Sequence, residues 1–258
     1  MKQIFVAVLS DFTQYIFTAL DASTKGRLSV TFCLLRKPFK DNLLVLEWLL
    51  ANSDEFLEKF KSSDLFKDIS IDKVTHENKL RIISEAIERS SNSFISADFI
   101  YDLRYNKAKT YGFESAWQMA NHLITDCKHY KTEEMNLNFV FSTYENKLTQ
   151  WENLYFLLPT LMMHTVNICW SLYRIFQPKS LLINDNLLCR MALGYSLSAK
   201  ESVRDYDDTI IRDLPLICQK CGREIVVTKQ IEESIIRNGI YKCSRRHRND
   251  FYYLELKH

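Results

Sequence analysis

The sequence predicts an all-α helical bundle followed by a small C-terminal α+β module, with the helical body over residues 1–205 and the module over residues 206–258. Three observations carry this. The 258-residue chain holds only 5 Gly and 4 Pro, where average usage would place roughly 18 Gly alone. Folds with many turns at positive φ, such as sandwiches, propellers and Rossmann sheets, are therefore disfavoured. Apolar residues recur at helical spacing through most of the chain. The composition then changes near Leu214, where cysteines and cations cluster among short apolar runs.

Residues 2–21 carry Ile4, Phe5, Val8, Leu9, Phe12, Ile16 and Leu20 on one helical face. Residues 26–52 read as a long apolar helix that Pro38 kinks or divides. Ser53 and Asp54 cap a short helix through Phe60, and Val74, Leu80, Ile83 and Ile87 mark another over 72–90. The cluster SSNS at 90–93 breaks it, and helices near 95–107 and 113–126 follow on either side of a Gly112 turn. Residues 127–142 read as an extended excursion, strand-like from Asn136 to Phe141. The longest helix spans 143–177, with Pro159 inside it, and a further one covers 184–202. The charged segment 200–213 leads into the tail.

With 47% hydrophobic and 26% charged residues the chain is globular. A net charge of +2 excludes a uniform field for nucleic acid or membrane. The N-terminus has a short apolar run interrupted by Asp11 and no cleavage site, so it does not read as a signal peptide. Cys33, Cys127, Cys169 and Cys189 stand alone as reduced core thiols, which places the protein in the cytoplasm. The 21 uncharged residues between Glu152 and Arg174 are long enough to span a bilayer. They include Asn153, Thr160, His164, Thr165, Asn167 and Ser171, however, which suits a buried helix rather than a membrane.

The tail carries Cys218 and Cys221 as C-x2-C with Gly222 next, then Cys243 after 21 intervening residues, then His247. A tight turn after the first pair aims two thiolates at one cation, and three thiolates with an imidazole complete a tetrahedral set. Such a set is closed, so it predicts a structural Zn2+ rather than a catalytic one. The fourth ligand is His247, or lies elsewhere, or the cysteines pack without metal; a module this small buries little core unaided. These residues resemble a zinc ribbon in which His247 replaces the fourth cysteine. Residues 214–258 hold nine Lys/Arg against five Asp/Glu, so the tail is +4 and the remainder −2. Lys242, Arg245, Arg246 and Arg248 surround the second knuckle, with Tyr241, Phe251, Tyr252 and Tyr253 close by. Cations interleaved with aromatics suit phosphate contacts and base stacking; the alternative is a solvated knuckle offsetting the zinc–thiolate charge.

Two polar stripes mark the body. Thr160, His164, Asn167, Ser171 and Arg174 share one face of the long helix, and Arg36, Lys40 and Glu47 share one of the early helix. They face either a common cleft, in which Arg36 and His164 bind a small ligand, or solvent. Between them in sequence, Arg104 and His122 lie on consecutive helices. An Arg/His pair positions and protonates a phosphodiester, the chemistry of metal-independent ribonucleases; the alternatives are an Asp102–Arg104 pair and a core histidine.

LLRKPFKDNLLVLEWLLANSDEFLEKF (34–60), IYDLRYNKAKTYG (100–112), ANHLIT (120–125) and NLNFVFS (136–142) resemble segments of bacterial helical proteins of the HEPN-like type, found in phage-defence and toxin–antitoxin loci. The resemblance covers about residues 1–200 and implies a helical defence component. HEPN ribonucleases carry Arg followed after four to six residues by His, whereas the next histidine after Arg104 is His122. No G-x-G-x-x-G, P-loop or G-x-S-x-G occurs, and His76 opens HENKL rather than H-E-x-x-H. The sequence thus reads first as a non-catalytic binding or adaptor protein of a helical body, engaging a protein partner or a second copy, and a zinc-stabilised tail contacting nucleic acid or protein. A divergent HEPN-like ribonuclease and a small-ligand binder are the alternatives.

Overall fold

Helical periodicity becomes eight α-helices among the described residues: α1 Lys2–Thr24, α2 Leu28–Lys37, α3 Leu43–Ala51, α4 Ser53–Lys61, α5 His76–Arg89, α6 Ala97–Tyr105, α7 Phe113–Asn121 and α8 Tyr144–Phe176. The computed structural model describes residues 1–90, 95–109, 111–176, 216–218, 220–231, 234 and 240–250. The chain divides into two compact units, Met1–Pro178 and Lys179–His258. The helix expected over 184–202, the charged segment 200–213 and the boundary expected at 205 lie outside the described residues.

In the first unit α3 is the hub. Leu43, Leu44, Leu46, Trp48, Leu49, Leu50 and Ala51 are all buried, so apolar side chains surround this helix everywhere but at Glu47. It packs against α1, α4, α5 and α8. The surrounding core includes Phe5, Phe12 and Ile16 of α1, Phe32 and Leu35 of α2, Ile82 and Ile83 of α5, Trp117 of α7, and Leu154, Leu161 and Ile168 of α8. The uncharged stretch between Glu152 and Arg174 lies within α8 and supplies these last residues. One described helix, Lys2–Thr24, is long and apolar enough to cross a membrane.

Local chemistry sets the ends. At the end of α1, Gly26 adopts φ +69° while its N–H donates to Ser23 O and that of Arg27 to Ala22 O, a Schellman closure. Pro38 divides the early helix: lacking an N–H, it cannot continue the α-helical ladder. The chain widens there into one π turn, Pro38–Asn42, closed by the Leu43 N–H on Pro38 O. The cap of α4 is Asn52, one residue before the expected Ser53, and its side chain accepts from Glu55 N at 3.1 Å. Thr75 and Ser96 cap α5 and α6 in the same way. Gly112 lies where a Cβ would stand 2.8 Å from Asp102 O, so the turn between α6 and α7 admits no side chain.

The excursion after α7 differs from expectation. Its strands are β1 Asp126–Cys127 and β2 Tyr130–Lys131, a short antiparallel hairpin. Asn136–Phe141 is not a strand; alternation there has no partner to pair with. Met135 and Phe139 instead take positive φ. Asn138 anchors the turns, donating through Nδ2 to His122 O at 2.7 Å and accepting from Thr132 Oγ1 at 2.8 Å.

The second unit holds two further hairpins among its described residues. Strands β3 Leu216–Ile217 and β4 Glu224–Ile225 pair antiparallel, as do β5 Ile240–Lys242 and β6 Arg248–Asp250. Its small core comprises Leu216, Cys218, Ile225, Val227, Tyr241 and Cys243.

Candidate metal centre

Each hairpin of the second unit turns through a cysteine knuckle. In the first, Cys218 N–H donates to Arg223 O and Gly222 N–H to Cys218 O, both at 2.8 Å. Gly222 sits at φ +66° with open space around its Cβ position, so glycine is required there by backbone conformation rather than by crowding. In the second, Cys243 N–H donates to His247 O at 3.1 Å and Arg246 N–H to Cys243 O at 2.7 Å. Arg246 takes the left-handed conformation, φ 64°. This turn is one residue shorter than the first, and its donor, the His247 imidazole, stands at position +4 where the first knuckle has the Cys221 thiol at +3. Tyr241 Oη reaches Ile217 O at 3.4 Å and ties the hairpins together.

The outcome is a cluster. The Sγ atoms of Cys218, Cys221 and Cys243 and a ring nitrogen of His247 all lie within 4.8 Å of one another. Cys218 Sγ and His247 Nδ1 are 3.7 Å apart; donors on a tetrahedron around one Zn2+ would stand about 3.6–3.8 Å apart. No disulfide joins the cysteines. Burial opposes ionisation of Cys218, but the N–H groups of Lys220 and Cys221, with His247, outweigh it and bring the thiol down to about 6. The Arg223 N–H favours the Cys221 thiolate, yet burial and the neighbouring sulfurs of Cys218 and Cys243 push Cys221 up. These surroundings favour the thiolate at Cys218 over that at Cys221, and a cation held between the sulfurs would relieve the repulsion that raises Cys221. The four residues can hold a metal ion.

Lys242, Arg245, Arg246 and Arg248 are all exposed around the second knuckle. The aromatic residues expected beside them, Phe251, Tyr252 and Tyr253, lie outside the described residues; Tyr241 is buried in the small core.

In the first unit the polar stripes are buried in part: Arg174 is exposed, and Thr160, Arg36 and Lys40 are half-buried. His164, Asn167 and Ser171 are buried, as is Glu47. Arg104 is fully buried too, with Nη1 donating to Glu47 Oε1 and Oε2 at 2.6 and 2.7 Å, Nε to Phe39 O at 2.7 Å and Nη2 to Tyr105 Oη at 2.9 Å. Tyr105 Oη donates to Lys40 O at 2.7 Å. The two side chains thereby satisfy carbonyls of the π turn. His164 Nε2 meets Glu47 Oε1 at 2.6 Å, and because an ionised carboxylate only accepts, the proton of this bond sits on Nε2. Burial penalises the Glu47 carboxylate, but Arg104 and His164 more than compensate and hold its pKa below the usual range. Lys40 and Glu114 form a second largely buried pair at 2.7 Å.

Residues assigned to two separate readings thus meet at one carboxylate: Arg104 and His164 share Glu47. His122 is not among the partners of Arg104. It ends α7, exposed, and its backbone carbonyl accepts from Asn138. Arg36 is half-buried beside Asp41, and Asp102 bonds Asn106, Tyr111 and Lys109 rather than Arg104. Glu47 is the residue whose role periodicity missed. Its signal was present as the one charge in the run LLVLEWLLA, an acid with no route to water that therefore demands a buried cation.

Comparison with protein families, curated proteins and solved structures finds no match for this chain.

Proposed function

We propose that this is a non-catalytic binding protein whose carboxy-terminal unit is a zinc-ribbon-like module closed around one structural Zn2+ by Cys218, Cys221, Cys243 and His247. The observation that carries this reading is the convergence of four soft and borderline donors within 4.8 Å. Four protein ligands fill a tetrahedral shell and leave no position for water or substrate, so the ion's role is to join two hairpins that share a core of six buried residues. Three thiolates around Zn2+ leave the centre at −1, and the exposed Lys242, Arg245 and Arg246 more than offset it. That surplus faces water from a metal-fixed loop, and the partner it suits is the phosphate backbone of a nucleic acid. Arg104 spends its donors on Glu47, Phe39 and Tyr105 in a buried site, which weighs against ribonuclease chemistry through Arg104 and His122.

Fluorescence anisotropy of the zinc-loaded full chain with a single-stranded oligonucleotide tests the partner. Three phosphate contacts give a slope of log K against log[salt] of about −2. Replacing Arg245→Ala and Arg246→Ala together lowers affinity and flattens the slope by about 1.4. Salt-independent binding, binding indifferent to the pair, or none at low salt would overturn the nucleic-acid assignment.

A further inference from the structure

The first knuckle carries a further inference, which rests on the nucleic-acid reading above. Lys220 and Arg223 flank the Cys221–Gly222 turn, and both are exposed. The Lys220 N–H faces the sulfur of Cys218 and the Arg223 N–H that of Cys221. The main chain of each residue thus serves the thiolates while its side chain is left in water. Among the described residues neither cation has a carboxylate partner, and the same holds for Lys242, Arg245 and Arg246 of the second knuckle. No Asp or Glu stands between Cys218 and Arg223, or between Lys242 and His247. Although 21 residues separate Cys221 from Cys243, the four donors of the two knuckles lie within 4.8 Å of one another. Lys220, Arg223, Lys242, Arg245 and Arg246 each stand within two residues of one of those donors, so convergence of the donors gathers the cations.

We infer that the phosphate-binding surface is built from both knuckles and completed by the metal, with Lys220 and Arg223 joining Lys242, Arg245 and Arg246 on the backbone of one nucleic acid. Gathering these like charges costs repulsion that a centre of charge −1 offsets only in part. A phosphate polymer relieves the remainder along its length, which a single small anion does not, so the composite surface favours the polymer. Two hairpins with a core of six buried residues depend on the ion to hold them together. Metal and nucleic acid are therefore coupled ligands, because each favours the closed arrangement that assembles the other's site.

Anisotropy of the full chain with a single-stranded oligonucleotide separates this surface from the reading on which it rests. The second knuckle alone gives a salt slope of about −2, and both knuckles together give about −3.5. The zinc-loaded parent is expected at the steeper value. Lys220→Ala with Arg223→Ala flattens it by about 1.4 at unchanged zinc content, whereas Lys220→Arg with Arg223→Lys, which keeps both charges, leaves it steep. Stripping the metal with a chelator, verified by zinc analysis of the same sample, moves the slope to about −2 or shallower, and added zinc restores it. A parent slope near −2 that Lys220→Ala and Arg223→Ala leave unchanged overturns the composite surface while the second knuckle keeps its assignment. So does a stripped chain with the slope of the loaded one. A parent without salt-dependent binding overturns both.

Discussion

Replacing Arg104 by Met removes the guanidinium while keeping most of the side-chain length. What remains is a carboxylate, Glu47, fully buried and bonded only to His164, and a Phe39 carbonyl without its 2.7 Å donor. Breaking a buried ion pair from one side costs about 3–5 kcal/mol, because the partner charge stays in a medium that cannot solvate it. With an m-value of about 2–3 kcal/mol/M for a unit of this size, the urea midpoint falls by about 1–2 M. The chain offers a clean optical probe, since all four tryptophans, Trp48, Trp117, Trp151 and Trp170, lie in the first unit. Tryptophan fluorescence therefore reports unfolding of the helical body separately from events at the metal centre. Replacing the whole triad with apolar residues (Glu47→Leu, Arg104→Met and His164→Leu) should cost less than Arg104→Met alone, since no charge is then stranded. A loss below about 1 kcal/mol for Arg104→Met would refute the assignment of this pair as the polar keystone of the body.

Acid should unfold the same unit through the same residue. Glu47 has a folded-state pKa held below its unfolded value, near 4.3. Its contribution is therefore complete above that unfolded value and is lost as pH falls through the lower folded one. The urea midpoint read by tryptophan fluorescence should drop as pH falls from 5 to 3, and a flat profile would contradict the sign of the shift. Asn138→Ala should cost about 1–3 kcal/mol locally, by leaving His122 O without its donor and taking from the Thr132 hydroxyl its Oδ1 acceptor. Limited proteolysis should then cut within residues 122–141 faster than in the parent, while the global urea midpoint moves less than with Arg104→Met.

The parts of the fold that were legible in the sequence are those decided locally. The stripe of Phe5, Phe12 and Ile16 declares α1, and Pro38 divides the early helix because a missing N–H acts within one turn. Helix starts were legible to within a few residues; at α4 the chain held Asn52, Ser53 and Asp54 in a row, all competent caps, and only the backbone of Asn52, at φ −155° and ψ 86°, settles which one serves. Asn136–Phe141 misled because alternation signals a strand only where a partner exists, and here the N–H groups of Asn136, Asn138 and Val140 go to Glu133 O, Leu123 O and Leu137 O in successive turns instead. The triad was hidden for a different reason. Glu47, Arg104 and His164 are separated by 57 and 60 residues, and nothing within one helix says which charged stripe another will meet. The cysteine cluster was legible across 29 residues because metal ligands carry their chemistry in their spacing.

Metal analysis of the purified full chain asks whether Cys218, Cys221, Cys243 and His247 close around a single divalent ion, as proposed. The expected result is about one zinc per chain, four-coordinate with three sulfurs and one nitrogen by X-ray absorption, and its loss on Cys218→Ser. A chain that holds no metal after reconstitution, or a site whose sulfurs are found joined as a disulfide, would contradict it.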